Sequence, residues 1–187
     1  IKGEEGFLSE SPSAIQEKLK ERGSPAEVDT AFEGGKVSVI LSPEVMKSLE
    51  TYDTAILAWK GASNTRTSVY DKLSEITWTP PANTALDVLI LKHGETTSAE
   101  RDLLVSQMDS LGYRPLSFAE LVGFTTMRPD LIENRQEILI TCAKYTVGGD
   151  LRVPGIDWSD EVEMRGISAY NDSSAYNVED RFLFVPK

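Results

Sequence analysis

The sequence predicts an α+β protein, and three observations carry that prediction. Helix-start chemistry recurs along the chain, with Ser or Thr caps followed by Pro at the first helical position or by Glu three residues on. Apolar runs of strand length punctuate it, the clearest being "ALDVLIL" and "RFLFV". The composition, 40% hydrophobic and 26% charged, is that of an ordinary globular chain.

The elements follow in order. "SPSAIQEKLKERG" predicts a helix capped by Ser11, with Pro12 at its first position, Ile15 and Leu19 on one face, and Gly23 past its end. "SPAEVDTAF" repeats the pattern with Ser24, Pro25 and Glu27, and "SPEVMKSLETY" does so again from Ser42 and Pro43. Between them "GKVSVIL" alternates Val37, Val39 and Leu41 as a strand does. "TAILAWKG" from Thr54 and "EITWTP" from Glu75 read as further strands, the second stopped by Pro80 and Pro81. A boundary is expected at "TPPANT", dividing residues 1–84, a smaller mixed α/β domain or elaboration, from residues 85–187.

The second part is patterned more sharply. "ALDVLIL" (Ala85 to Leu91) is apolar enough to be buried on both faces. "TSAERDLLVSQMDSLG" carries a capping box of Thr97 and Glu100, apolar positions at Leu104, Met108 and Leu111, and a closing Gly112. "SFAELVGF" has a second box, Ser117 with Glu120, and "RPDL" at 128–131 breaks or restarts that helix. "EILITCAKYTV", the tight turn "GGD" and "LRVPGIDW" predict a hairpin. A polar segment, "SAYNDSSAYN" (168–177), then precedes the final strand. The first and last strands of this part are expected to pair.

Charge and cysteine content narrow the function classes. Thirty acidic against nineteen basic residues give a net charge of −11, which opposes binding to nucleic acid or anionic membranes. Cys142 is the sole cysteine and His93 the sole histidine, so an internal disulfide, a Cys/His zinc site, and Cys-His or Ser-His-Asp catalysis all lack support. No run is long enough to span a bilayer, and the N-terminal "IKGEEGFLSES" lacks the regions of a signal peptide, so a soluble chain is expected.

The block "GYRPLSFAELVGF", the run "EILIT" after "RPDL", then "GGDLRVPGIDW" and "DRFLFVPK" resemble the C-terminal region of C-type lectin-like proteins of the formylglycine-generating-enzyme type. These are variable proteins targeted by diversity-generating retroelements, with relatives in uncultivated archaea and candidate bacterial phyla. Arg114-Pro115, the run from Gly149 to Pro154 and the ending from Arg181 are its most specific parts. The resemblance covers residues 85–187 and implies a C-type lectin-like fold there. It also implies a binding surface of residues rewritten at adenine-containing codons, facing a macromolecular ligand, most simply a protein, with no cofactor.

Composition alone reads 168–177 as a surface loop of turn formers. The resemblance makes Tyr170, Asn171, Ser173, Ser174, Tyr176 and Asn177 ligand-facing, with Ser168 beside them. Tyr, Ser and Asn also suit a paratope, Tyr for contact area and Ser and Asn for adaptable hydrogen bonding. If exposed, Tyr170 and Tyr176 are anchors; if buried, they are packing residues. Lys144, Tyr145 and Thr146 border the same surface or merely end a strand. Trp158, after Asp157, is a wedge beneath the surface or an anchor on it, and the usual burial of Trp favours the wedge.

Two rivals stand beside this expectation. Asp157, Asp160, Glu161, Glu163, Asp172, Glu179 and Asp180 raise a calcium-dependent carbohydrate-binding lectin, although their spacing follows no EF-hand loop. A viral or cell-surface structural protein would use the C-terminal segment as an oligomer interface. Catalysis is not expected, because Cys142 sits in an apolar run where a thiolate is hard to form and no carboxylate pair stands out. Asp180 beside Arg181 reads as a local charge pair or a turn feature.

Overall fold

The structure, a computed structural model, describes residues 10–133, 135 and 137–187. Residues 1–9 of the stretch read for a leader lie outside them. Helix α1 (Pro12–Glu21) starts as its sequence dictates, with Ser11 Oγ accepting from the Ala14 amide and Ile15 and Leu19 fully buried. The next predicted helix does not form. Ser24 Oγ instead caps the Ala26 amide, the Val28 amide donates to the Gln16 side chain, and β1 (Glu27–Val28) joins the sheet. Pairing with a neighbouring strand there outweighs a local helix signal only a few residues long.

Strand β2 (Lys36–Ile40) and helix α2 (Pro43–Ser48) lie where expected. The stretch from Thr54, read as a strand, is helix α3 (Tyr52–Gly61). Thr51 caps it by accepting from the Thr54 amide, and Ala55, Ile56 and Trp59 fall on one buried helical face. Strand β3 (Arg66–Val69) follows. The stretch from Glu75 forms no strand; a 3-10 turn, Asp71–Glu75, leads into extended chain in which Trp78 packs edge-on against Tyr52 and Phe118, at 5.7 and 5.6 Å. Its indole N–H donates to the Leu49 carbonyl at 2.8 Å, so the residue serves as a wedge.

The remaining elements are β4 (Ala85–Lys92), α4 (Ser98–Ser110), β5 (Tyr113–Pro115), α5 (Phe118–Met127), β6 (Ile138–Ile140), β7 (Tyr145–Val147), β8 (Asp150–Ser159), β9 (Met164–Asn171) and β10 (Asp180–Pro186). Both predicted capping boxes are closed, Thr97 with Glu100 and Ser117 with Glu120. The run read as one strand from Glu137 breaks at Cys142, whose φ of 59° takes the chain out of extended geometry. Gly148 and Gly149 both have positive φ, 61° and 85°, as the two-residue turn between β7 and β8 requires. The polar segment is no simple loop, since β9 runs through Asn171 and pairs along its whole length with β8.

The described residues are thus α+β, with five α-helices and a mostly antiparallel ten-stranded sheet whose main path runs β1-β4-β10-β6-β8-β9-β3, β2 pairing also with β4, β5 with β10 and β7 with β8. Among the described residues only β10 with β6 and β3 with β9 run parallel. As expected, β4 and β10 pair antiparallel, Phe182 opposite Leu91 and Phe184 opposite Leu89. The sheet crosses the division at residue 84, because β1 and β2 both pair with β4 and β3 pairs with β9.

Alternation along β10 explains the layering. Phe182 and Phe184 point into one core with Ile15 and Leu19 of α1 and Leu104 and Met108 of α4, while Leu183 and Val185 point into the other with Trp59 of α3 and Leu121 of α5. Helices therefore cover both faces of the sheet, and each fully buried Phe contributes about 2–3 kcal/mol of hydrophobic stabilisation. Two arginines are held by buried carboxylates. Arg114 forks onto Glu120 with two bonds of 2.7 Å, and Arg181 pairs with buried Asp29 of the N-terminal part. Arg181 therefore does not pair with its neighbour Asp180, whose Oδ2 accepts from the Asn177 amide in a turn.

Candidate functional site

The segment from β9 to β10 crosses the end of the sheet as a tethered strap. Its exposure alternates: Asn171, Ser173, Ala175 and Asn177 are exposed, Asp172 and Ser174 half-buried, and Tyr176 buried. A turn closed by the Ser174 amide on the Asn171 carbonyl, at 2.9 Å, and the bridge from Tyr176 to Thr96 divide this polar stretch into outward and inward residues. Tyr176 holds the inward row in place. Its backbone exchanges hydrogen bonds of 3.0 and 2.8 Å with Thr96, and its ring packs edge-on against Phe182 at 5.7 Å.

Tyr176 therefore corrects the expectation of an exposed anchor: it is 3% exposed and belongs to the core. Its hydroxyl accepts from Nη1 of Arg101 at 2.6 Å. Arg101 is fully buried on α4, and its Nη2 also binds Asp172 and, at 3.3 Å, Asp102. Lys144 joins the two carboxylates from outside, 2.9 Å from Asp102 and 3.2 Å from Asp172. The Asp102 carboxylate, helped by Asp172, raises the Lys144 pKa above its usual value against a smaller opposing effect of burial.

Beside this network lies a groove of about 500 Å³, lined by Asp102, Arg114, Cys142 and Lys144 among others. Its chemistry is closed on itself. Arg114 is committed to Glu120 and Lys144 to two aspartates, while burial pushes the Cys142 thiol well above the usual range and keeps it protonated. Burial alone would raise the Glu120 pKa, but the Arg114 fork and the Ser117 amide outweigh it and hold the carboxyl below its ordinary value. Among the described residues, no group of three or more His, Cys, Asp or Glu could hold a metal ion.

The other expected site residues scatter. Tyr170 is half-buried on β9 and gives its hydroxyl to Asp157 Oδ2 at 3.0 Å, with its ring lying over Gly155, where an added Cβ would meet Cε2 at 2.7 Å. It too is committed to the sheet rather than free as an anchor. Ser168 is half-buried on the same strand face. Ser174 is half-buried and gives its amide to the Asn171 carbonyl at 2.9 Å. Tyr145 is half-buried, and its hydroxyl accepts from the Phe118 amide at 2.8 Å, satisfying the first turn of α5 in place of facing a ligand. Thr146 is exposed. Trp158 sits near the opposite end of β8, partly buried against the core.

The sequence passes over Arg101, Asp102 and Ala175, and it offers Asp172 only as one of the acidic residues of a calcium site. Arg101 had a signal: it lies three residues before Leu104 and seven before Met108, on the apolar face of α4, where a charge needs a buried partner. Among the described residues no helix is long and apolar enough to cross a membrane. No protein family, curated protein or solved structure matches the chain.

Proposed function

We propose that the chain is a ligand-binding protein, without catalytic activity, that presents a diversifiable surface on a C-type lectin-like scaffold and is the target of a diversity-generating retroelement. The observation that carries this reading is the alternation of the strap. Its inward residues are tied to Arg101, Thr96 and Phe182, whereas Asn171, Ser173, Ala175 and Asn177 stand outside the packed core. Positions of that kind accept replacement at about 0.5 kcal/mol or less, so the frame holds while the surface changes.

The closed circuit from β4 to β10, with α4 on one face of the sheet and α5 on the other, supports the lectin-like assignment of residues 85–187. The partner is a macromolecule, most simply a protein. Affinity comes from a polar patch held rigidly rather than from Tyr170 or Tyr176. The net charge of −11 argues against nucleic acid.

Sequencing the genomic locus tests the proposal. The expected result is a neighbouring reverse-transcriptase gene and a second copy of the 3′ coding segment that differs at adenines, with the affected codons at 171, 173, 175 and 177. A complete locus lacking both, or variation that falls on Tyr176 and Asp172, contradicts it.

A further inference from the structure

A second cavity opens about 20 Å along β8 from the strap, at the turn into β9. It holds about 550 Å³, within the range of small-ligand sites, and is lined by Asn64, Thr65, Arg66, Trp158, Val162 and Glu163. Its frame is fixed from beneath. Arg165, fully buried, donates from Nε to Thr65 Oγ1 and from Nη2 to the Trp59 carbonyl, both at 3.0 Å, and its guanidinium lies 4.6 Å from the centre of the Trp59 ring. These contacts clamp the segment between α3 and β3 against β9, and β3 itself pairs with β9 from Arg66 opposite Met164.

Half of the lining is polar and uncommitted. Among the described residues, the side chains of Asn64, Arg66 and Glu163 have no hydrogen-bond or ion-pair partner, in contrast to the charges around the first groove. Trp158 gives its indole N–H to Asp160 at 2.7 Å, which leaves its ring, with the exposed Val162 beside it, as the apolar part of the wall.

This combination selects a chemistry. A guanidinium, an amide and a carboxylate together offer donors and acceptors, so the matching ligand carries both along its edge. An anion would meet Glu163 and the acidic chain, a cation would meet Arg66, and a purely apolar molecule would strand all three polar groups away from water. A neutral sugar ring satisfies the whole set: its hydroxyls both give and accept, and its C–H face covers an indole. Of the lining residues only Glu163 carries a carboxylate, too few for the six to eight oxygens that calcium requires. We propose that this cavity binds a neutral glycan residue without a metal ion, stacked on Trp158 and hydrogen-bonded by Asn64, Arg66 and Glu163. The site is separate from the strap and stands or falls independently of it.

The test is NMR of the full-length, 15N-labelled protein in EDTA, titrated with maltotetraose, cellotetraose, mannotetraose and N-acetylchitotetraose. The expected result is a saturable shift of the Trp158 indole N–H and of amides 64–66 and 162–163 with at least one of these. Trp158→Leu and Glu163→Gln should each weaken that binding by about tenfold, the loss of one stacking or charge-assisted contact. Glu50→Gln, at an exposed residue outside both sites, should leave it unchanged. Glu163→Gln alters an exposed residue, so its effect is read without loss of the fold. The proposal is overturned if none of the four sugars shifts these signals, if only sulfated or sialylated sugars do, if binding requires added calcium, or if the shifts map to 171–177.

Discussion

The strap at the end of β9 and the cavity at the turn between β8 and β9 are built from similar residues put to opposite use. At the strap, Arg101, Lys144, Asp102, Asp172 and the Tyr176 hydroxyl form one network in which each charge is met by another. At the cavity, Arg66, Glu163 and Asn64 meet no partner among the described residues. The difference separates frame from site. A charge matched inside the protein holds geometry, and one that lines a cavity unmatched is available to a ligand.

The comparison breaks most readily at Tyr176. Tyr176→Ala should cost about 4 kcal/mol in urea unfolding, because it empties the core beside Phe182 and strips Arg101 of a partner. Arg101→Ala follows at about 3 kcal/mol, because it empties a fully buried site and leaves the Tyr176 hydroxyl without its donor, while Asp172 keeps Lys144. Tyr176→Phe, which keeps the ring and removes only the acceptor, should cost about 1–2 kcal/mol. A small effect from either alanine variant would remove the strap from the frame.

Acid titration sharpens the contrast among buried carboxyls. Glu120 has a folded pKa below its ordinary 4.5, so it contributes stability above that value, and the contribution is lost as pH falls through the folded pKa. Asp180 is the reverse: burial raises its pKa above 3.8, and its Oδ1 has no hydrogen-bond partner. The folded state therefore binds the proton more tightly, and stability rises as pH falls through the raised pKa toward 3.8. Asp180→Asn should abolish that gain, so its unfolding midpoint drops more steeply with acid than that of the wild type. Glu120→Gln should flatten the decline below about pH 4.5. The smallest effects belong to the outward row, where Asn171→Ala, Ser173→Ala and Asn177→Ala should each shift stability by about 0.5 kcal/mol or less.

Much of the frame was legible because its signals are local. Ser11, Ser42, Thr97 and Ser117 announce their helices, and Gly148-Gly149 announces its hairpin. The misreadings share a cause, which is that partners distant in sequence decide the conformation. Residues 54–61 lack a polar alternation and look like a strand until Trp59 is seen giving its indole N–H to Thr125. Glu27 and Val28 leave a helical pattern to pair with Lys92 and Leu91. The strap was correctly located as a polar segment beside the final strand, but its register was not legible. Which of Tyr170, Ser174 and Tyr176 faces inward depends on Arg101, Thr96, Asp157 and the turn at 171–174, all settled by partners distant in sequence or by the local backbone.

That register is best measured with two displayed libraries of the chain, one randomised at 171, 173, 175 and 177 and the other at 172 and 176, sorted for folded protein and then for binding to a panel of proteins. The account predicts that the first library remains largely folded and yields binders, while folded clones of the second return to Tyr176 and to an acceptor at 172. Equal tolerance in the two libraries, or collapse of the first, would contradict it.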